Sequence, residues 1–113
     1  MFTDYELAKR YVNKVKNAHD RGVDFDLSFS QFKRILSARK CQLSGIPVDN
    51  STITIDRVDS AKGYIKGNCV ACHETINKMK GVLENPTNPI NIRSFAKALN
   101  KSIQLMEKQD ANS

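Results

Sequence analysis

Between Cys41 and Lys80 the chain reads CQLSGIPVDNSTITIDRVDSAKGYIKGNCVACHETINKMK, and it sets an Asp, two Asn and a His at intervals that would let them surround one metal ion. Asp56 and Asn77 offer hard oxygen ligands, which suit Mg²⁺ or a similar divalent ion with open positions for phosphate and water. Local signals indicate how these residues are held. Ile53, Thr54 and Ile55 form a β-branched run ending in Asp56-Arg57, the composition of a short strand. Lys62-Gly63-Tyr64 and Lys66-Gly67-Asn68 carry turn chemistry, so a loop follows. From Cys69 to Lys80 there is no Gly or Pro, and Val70, Cys72 or His73, Ile76 and Met79 recur at helical spacing. That pattern predicts a helix carrying Asn77.

Taken in order, Cys41-Gln-Leu-Ser44-Gly45, Thr54-Ile-Asp56-Arg57-Val-Asp59-Ser60, Lys62-Gly63-Tyr64, Gly67-Asn68 and Asn77-Lys-Met-Lys80 resemble the HNH endonucleases of the ββα-metal fold, especially the small phage-type members. The resemblance covers roughly the middle third of the chain. It implies an α+β fold with a small ββα-metal centre and a divalent-metal-dependent hydrolysis of DNA phosphodiester bonds. It further implies that Asp56 binds the metal that contacts the scissile phosphate, that Asn77 is the second ligand, and that Asn68 braces the loop behind the strand end. Gly63 and Gly67 would then serve backbone turns, with Tyr64 packed beneath the loop.

The chain departs from the family pattern at Arg57, where a His usually serves as general base. Arginine stays protonated in proteins and cannot take that proton. It can grip a phosphate or stabilise the charge developing on it. His73, one helical turn before Asn77 on the predicted helix, is the natural replacement. Asp59 is a second candidate, with a plain turn role as its alternative, and water activated by the metal alone is a third. His19, late in the first predicted helix, either caps it or faces solvent.

Cys69-x-x-Cys72 has the spacing of a zinc knuckle, but the earlier half is Cys41-x-x-Ser44 and lacks one thiolate. A Cys₃His set of Cys41, Cys69, Cys72 and His73 would need the adjacent Cys72 and His73 to converge from different directions on a helix. Buried free thiols are the expected state, without structural zinc.

The 113 residues suffice for one domain with a modest core. Between Lys33 and Lys80 stand nine basic and four acidic residues, so this segment carries +5 of the net +6. A basic face there suits a polyanion. The odd number of Cys points to a reducing compartment. With no apolar run of membrane-span length and no signal pattern after Met1, the expectation is a cytoplasmic protein, host cytoplasm if phage-encoded, with no membrane contact.

The flanks predict helices that frame the 41–80 core within a single 1–113 domain. In the 1–40 part, Thr3 with Glu6 forms a capping box, followed by an apolar stripe of Tyr5, Ala8, Tyr11 or Val12, Val15 and Ala18 that stops near Arg21-Gly22. Ser28 with Gln31 repeats the box, with Phe29, Phe32, Ile35 and Leu36 as the stripe and an end at Arg39-Lys40. Gly81 to Thr87 is the expected connecting loop. Asn88 as cap and Pro89 in the first turn predict a C-terminal helix over 88–108, with Phe95, Leu99, Ile103 and Met106 on one face and fraying from Ala111 to Ser113.

The expected function is a DNA endonuclease in which Asp56 and Asn77 hold Mg²⁺ or Mn²⁺. His73 would activate water, Arg57 grip phosphate and Asn68 order the loop. Lys62, Lys66, Lys78 and Lys80 would contact the DNA backbone. The alternative is a catalytically silent protein of the same fold that binds DNA or inhibits a protein partner.

Overall fold

Thr3 and Ser28 start the first two helices by the same device. The Thr3 and Ser28 hydroxyls each accept an N–H at 3.1 Å, from Glu6 and Gln31, and those side chains reach back to the cap N–H at 3.0 and 2.8 Å. Each box satisfies backbone donors that the first helical turn leaves without intrahelical partners. The computed structural model of the chain describes residues 1–112, and its elements are α1 (Asp4–Asp20), α2 (Phe29–Leu36), β1 (Ile53–Arg57), β2 (Cys69–His73), α3 (Glu74–Glu84) and α4 (Ile92–Asn112). The fold is α+β, with four helices and one two-stranded antiparallel sheet among the described residues. They divide into two compact units, residues 1–77 and the residues from Lys78 onward. No helix among them is long and apolar enough to cross a membrane.

In the first unit, α1 buries Leu7 and Ala18 and half-buries Tyr11, while Tyr5 and Val12 are exposed. Of the expected stripe, Tyr11 rather than Val12 and also Ala18 face the core, whereas Tyr5, Ala8 and Val15 are exposed, so the buried face is the one that carries Leu7, Tyr11 and Ala18. Tyr11 decides the orientation: its hydroxyl donates to the Leu27 carbonyl at 2.6 Å, and its ring meets Phe25, Phe29 and Phe32 edge-on at 5.2–5.6 Å. Aromatic contacts of that geometry add to simple area burial. α1 stops where expected, with Arg21 as the cap and Gly22 in the left-handed region at φ 68°.

α2 buries Phe32 and Leu36 as its stripe predicts, yet it ends at Leu36 rather than at Arg39-Lys40. Ser37 terminates it, donating its hydroxyl to the Lys33 carbonyl at 2.7 Å and its N–H to the Arg34 carbonyl. Local bonding of this kind competes with helix continuation. Phe32 and Leu36 join Ile53, Ile55, Tyr64 and Ala71 in one core. Burying a side chain such as Ile53 or Ile55 contributes roughly 1.5–3 kcal/mol.

The expected helix from Cys69 to Lys80 is in fact two elements. Cys69–His73 forms β2, paired antiparallel with β1 in the register Thr54 to Cys72 and Asp56 to Val70, and only from Glu74 does the chain turn helical. The strand wins because β1 supplies backbone partners on one edge. On the other, Gln42 brackets Ala71, its N–H donating to the Ala71 carbonyl at 2.9 Å and its side-chain oxygen accepting the Ala71 N–H at 2.7 Å.

In the second unit, α3 continues to Glu84, so the segment 81–87 expected as a loop is helical in its first half. α4 is capped by Asn91, whose side-chain oxygen accepts the Ser94 N–H at 2.8 Å, three residues after the expected cap Asn88. The Asn88 side chain instead accepts from Ile90 at 3.0 Å and closes a turn. The helix persists through Asn112, and Ser113, the last residue of the expected fray, lies outside the described residues. The apolar residues Phe95, Leu99, Ile103 and Met106 are each 40–60% exposed.

Candidate functional site

Successive side chains on a strand point to opposite faces, and residues directly opposed across a pair share a face. The register thus sorts the candidate residues into two groups. Thr54, Asp56, Val70 and Cys72 share one face, and Ile53, Ile55, Arg57, Cys69, Ala71 and His73 share the other. Asp56, only 6% exposed, is a buried carboxylate near the end of β1. Asn77, in the first turns of α3, donates its amide to Thr54 Oγ1 at 3.1 Å, and Thr54 donates onward to the Cys72 carbonyl at 2.9 Å. Asn77 is thereby fixed to the same strand face that carries Asp56. With its nitrogen committed to Thr54, Oδ1 is the atom it can present to a cation. From the sequence Thr54 is only a strand and motif residue without a site role; lying two residues before Asp56 on the strand, it shares the Asp56 face.

His73 is not where the predicted helix put it. It ends β2 on the face opposite Asp56, in register with Ile53. Its Nδ1 accepts the Thr75 N–H at 3.1 Å, so the ring closes the entry to α3. A neutral imidazole accepting at Nδ1 carries its proton on Nε2. Neither its face nor its tautomer suits the role of base beside Asp56.

Arg57 also lies on that opposite face, and it is built into the loop. Its guanidinium donates to the Ser60 and Lys62 carbonyls, both at 3.0 Å, and stacks 5.2 Å from the Tyr64 ring centre. Asn68 completes the brace. Its amide nitrogen donates to the Asp59 carbonyl at 3.1 Å and the Gly63 carbonyl at 2.8 Å, while its oxygen accepts the Asp59 N–H at 3.0 Å. Asn68 is buried, and its side chain is spent on loop backbone immediately before β2. Asp59 accepts the Ala61 N–H at 3.0 Å and serves the turn.

Gly63 is required by space. A Cβ there would sit 2.5 Å from the Asp24 carbonyl oxygen, where the 24–26 strap exchanges backbone hydrogen bonds with Tyr64. Tyr64 is buried, and Arg21 donates to its hydroxyl at 3.2 Å. Burial works against ionising this phenol, but the Arg21 hydrogen bond and the nearby Lys14 and Arg21 charges leave it below its usual value.

Of the basic residues, Lys62 and Lys66 are exposed on the loop, Lys78 is exposed and Lys80 half-buried, and His19 is exposed near the end of α1.

The thiols divide between the two sides. Cys41 and Cys72 are buried with sulfurs 3.9 Å apart, whereas Cys69 lies on the other face, opposite Arg57. Burial would raise the Cys41 thiol, but hydrogen bonds from the Ser44 side chain and from the His73, Ser44 and Leu43 backbone outweigh it and bring the pKa down to about 6. Burial pushes the Cys69 thiol up. Among the described residues no three or more His, Cys, Asp or Glu side chains converge as a metal-holding group. An Asp–Asn pair is a different donor set, and it fits Mg²⁺, which commonly takes one or two protein oxygens and keeps its waters.

The chain is 33% identical over 79 residues to the uncharacterized 29.0 kDa protein in the dda-modA intergenic region of Enterobacteria phage T4, a match covering 66% of this chain and 32% of that protein. It is 36% identical over 81 residues to an uncharacterized protein of Acanthamoeba polyphaga mimivirus, covering 71% of this chain and 15% of the relative. The chain therefore spans about a third and about a seventh of the lengths of these two viral relatives. No family model matches the chain, and no solved structure does.

Proposed function

We propose that the chain is an HNH-type nuclease module whose ββα-metal centre hydrolyses DNA phosphodiester bonds with a divalent ion. The observation that carries this reading is the hydrogen bond from Asn77 to Thr54, because it fixes an amide oxygen beside the strand face of a buried Asp56. Two further features support it. The order β1, braced loop, β2, α3 fits a ββα arrangement, and Asn68 bonds Asp59 and Gly63 across the loop that follows β1. Asp56 and Asn77 Oδ1 would hold Mg²⁺ or Mn²⁺, and a bound ion of this kind polarises a phosphoryl oxygen and lowers the pKa of attached water.

The other residues take supporting roles. Arg57 holds the 58–62 loop through two carbonyls rather than reaching out to phosphate, so its effect on catalysis runs through the position of Asp56. Lys62 and Lys66 project from that loop and, with Lys78 and Lys80, would meet DNA phosphates without reading sequence. With His73 on the opposite face, no side-chain base is assigned, and water activation falls to the ion.

That same placement of His73 favours a second reading, a catalytically silent member that binds DNA or a protein partner. Incubating supercoiled plasmid with the protein and Mg²⁺ or Mn²⁺, with and without chelator, separates the two. Nicking that needs the metal is the expected result. Binding without nicking under every metal condition would select the silent reading.

A further inference from the structure

Every cation of α4 stands on one side of the helix. At about 100° per residue, Arg93, Lys97, Lys101 and Lys108 fall within an arc of roughly 80°. Glu107 and Asp110, the acidic residues of this helix, fall outside it. All four cations are exposed, and among the described residues none of them is paired with a carboxylate. A shallow groove runs along the same arc between Arg93, Lys97, Asn100, Lys101 and Gln104. From Lys78 onward the chain has six basic and three acidic residues, so the stripe is the main seat of positive charge in the second unit.

We propose that this stripe is a phosphate-tracking surface that lays α4 along a nucleic-acid backbone. The inference extends the nuclease reading by assigning it a DNA contact outside the ββα centre. Steps of four residues place Arg93, Lys97 and Lys101 about 6 Å apart along the helix axis. The resulting span of about 12 Å corresponds to three or four phosphates of one duplex strand. An anionic membrane is the other large polyanion such a helix could meet. A helix lying in a membrane interface keeps cations flanking its apolar face on both sides, where they can snorkel. Here the opposite flank carries Ser94, Ala98, Ser102 and Gln109 and has no cation, so a line of charge is the better complement than a plane.

The test is fluorescence anisotropy of a labelled duplex with the full chain in chelator, over a salt series, so that no cleavage enters the readout. Lys97→Gln/Lys101→Gln is compared with wild type and with Lys9→Gln/Lys16→Gln, which removes two exposed α1 charges. Gln keeps helix propensity close to that of Lys. Loss of two phosphate contacts should lower the slope of log affinity against log salt by about 1.8, and the α1 variant should match wild type. An unchanged slope in the α4 variant, or an equal loss in the α1 variant, overturns the proposal even if wild type nicks plasmid. So does a variant that keeps its DNA affinity while losing binding to phosphatidylserine vesicles. Wild type that binds with the steeper slope but never nicks supports the stripe while removing the nuclease reading.

Discussion

Asn77 and Thr54 are joined at 3.1 Å, and because Thr54 in turn bonds the Cys72 carbonyl, one hydroxyl links the start of α3 to both strands. Thr54 accepts from the helix and donates to β2, a double use that no apolar side chain can replace. The link positions Asn77 on the Asp56 face through a residue that need not itself touch metal or phosphate.

Thr54→Val keeps the β-branched shape and removes both hydrogen bonds, which leaves the Asn77 amide and the Cys72 carbonyl without this partner. Stability should fall by about 1–3 kcal/mol. Metal-dependent nicking should fall tenfold or more at a temperature where the variant is folded. Thr54→Ser, which keeps the hydroxyl, should retain most activity. Equal activity in the Val variant, measured beside its circular dichroism spectrum, would show that Asn77 needs no such anchor.

Asn68→Ala removes three hydrogen bonds to the 59–63 loop. At roughly 0.5–1.5 kcal/mol each, the expected destabilisation is about 1.5–4.5 kcal/mol by urea unfolding. Asn68→Asp keeps the acceptor for the Asp59 N–H but sets a buried carboxylate oxygen against the Asp59 and Gly63 carbonyls, so it should cost at least as much as Ala. A loss below half a kcal/mol for Ala would mean that the loop is held chiefly by Arg57 and Tyr64.

His73→Ala tests whether this residue serves the helix entry rather than the chemistry. It faces away from Asp56 and accepts the Thr75 N–H, so the variant should lose the stability of a helix-entry contact, about 0.5–2 kcal/mol. Its nicking rate should keep the wild-type pH profile. A pH profile that flattens on removing His73 would restore it as the general base.

The path from sequence to structure was clearest where the signal is local. Both capping boxes needed only residues three apart, and the Ile53–Arg57 strand needed only its own β-branched run. Cys69–His73 imitates a helix because Val70, Cys72 and Ile76 satisfy a helical period by spacing alone. What makes the segment a strand is contact with β1 and with Gln42, which stands 29 positions before Ala71. In β2, His73 lies on the face away from Asp56 rather than one helical turn before Asn77. Likewise, the choice between Asn88 and Asn91 as cap is invisible in composition, because both are Asn and only the bonded partners distinguish them.

Cys41 gives the fold a pH dependence. Its thiol drops from an ordinary 9.0 to about 6 in the folded chain, so the folded state favours the thiolate. A depressed acid contributes stability that is fully present above the unfolded pKa and is lost as pH falls through the folded one. With thiols kept reduced, the stability advantage of wild type over Cys41→Ser should therefore grow between about pH 6 and pH 9. A constant difference across that range would mean that burial, rather than the Ser44 and backbone hydrogen bonds, sets the state of this thiol.

Asp56 is the residue on which the metal-site reading rests, and Asp56→Ala in the plasmid assay is its most direct test. Beside wild type at equal concentration in Mg²⁺ and in Mn²⁺, the variant should keep its helical spectrum and lose metal-dependent nicking entirely. Undiminished nicking by folded Asp56→Ala would contradict the account, since no other carboxylate is assigned to the face that Asn77 and Thr54 share.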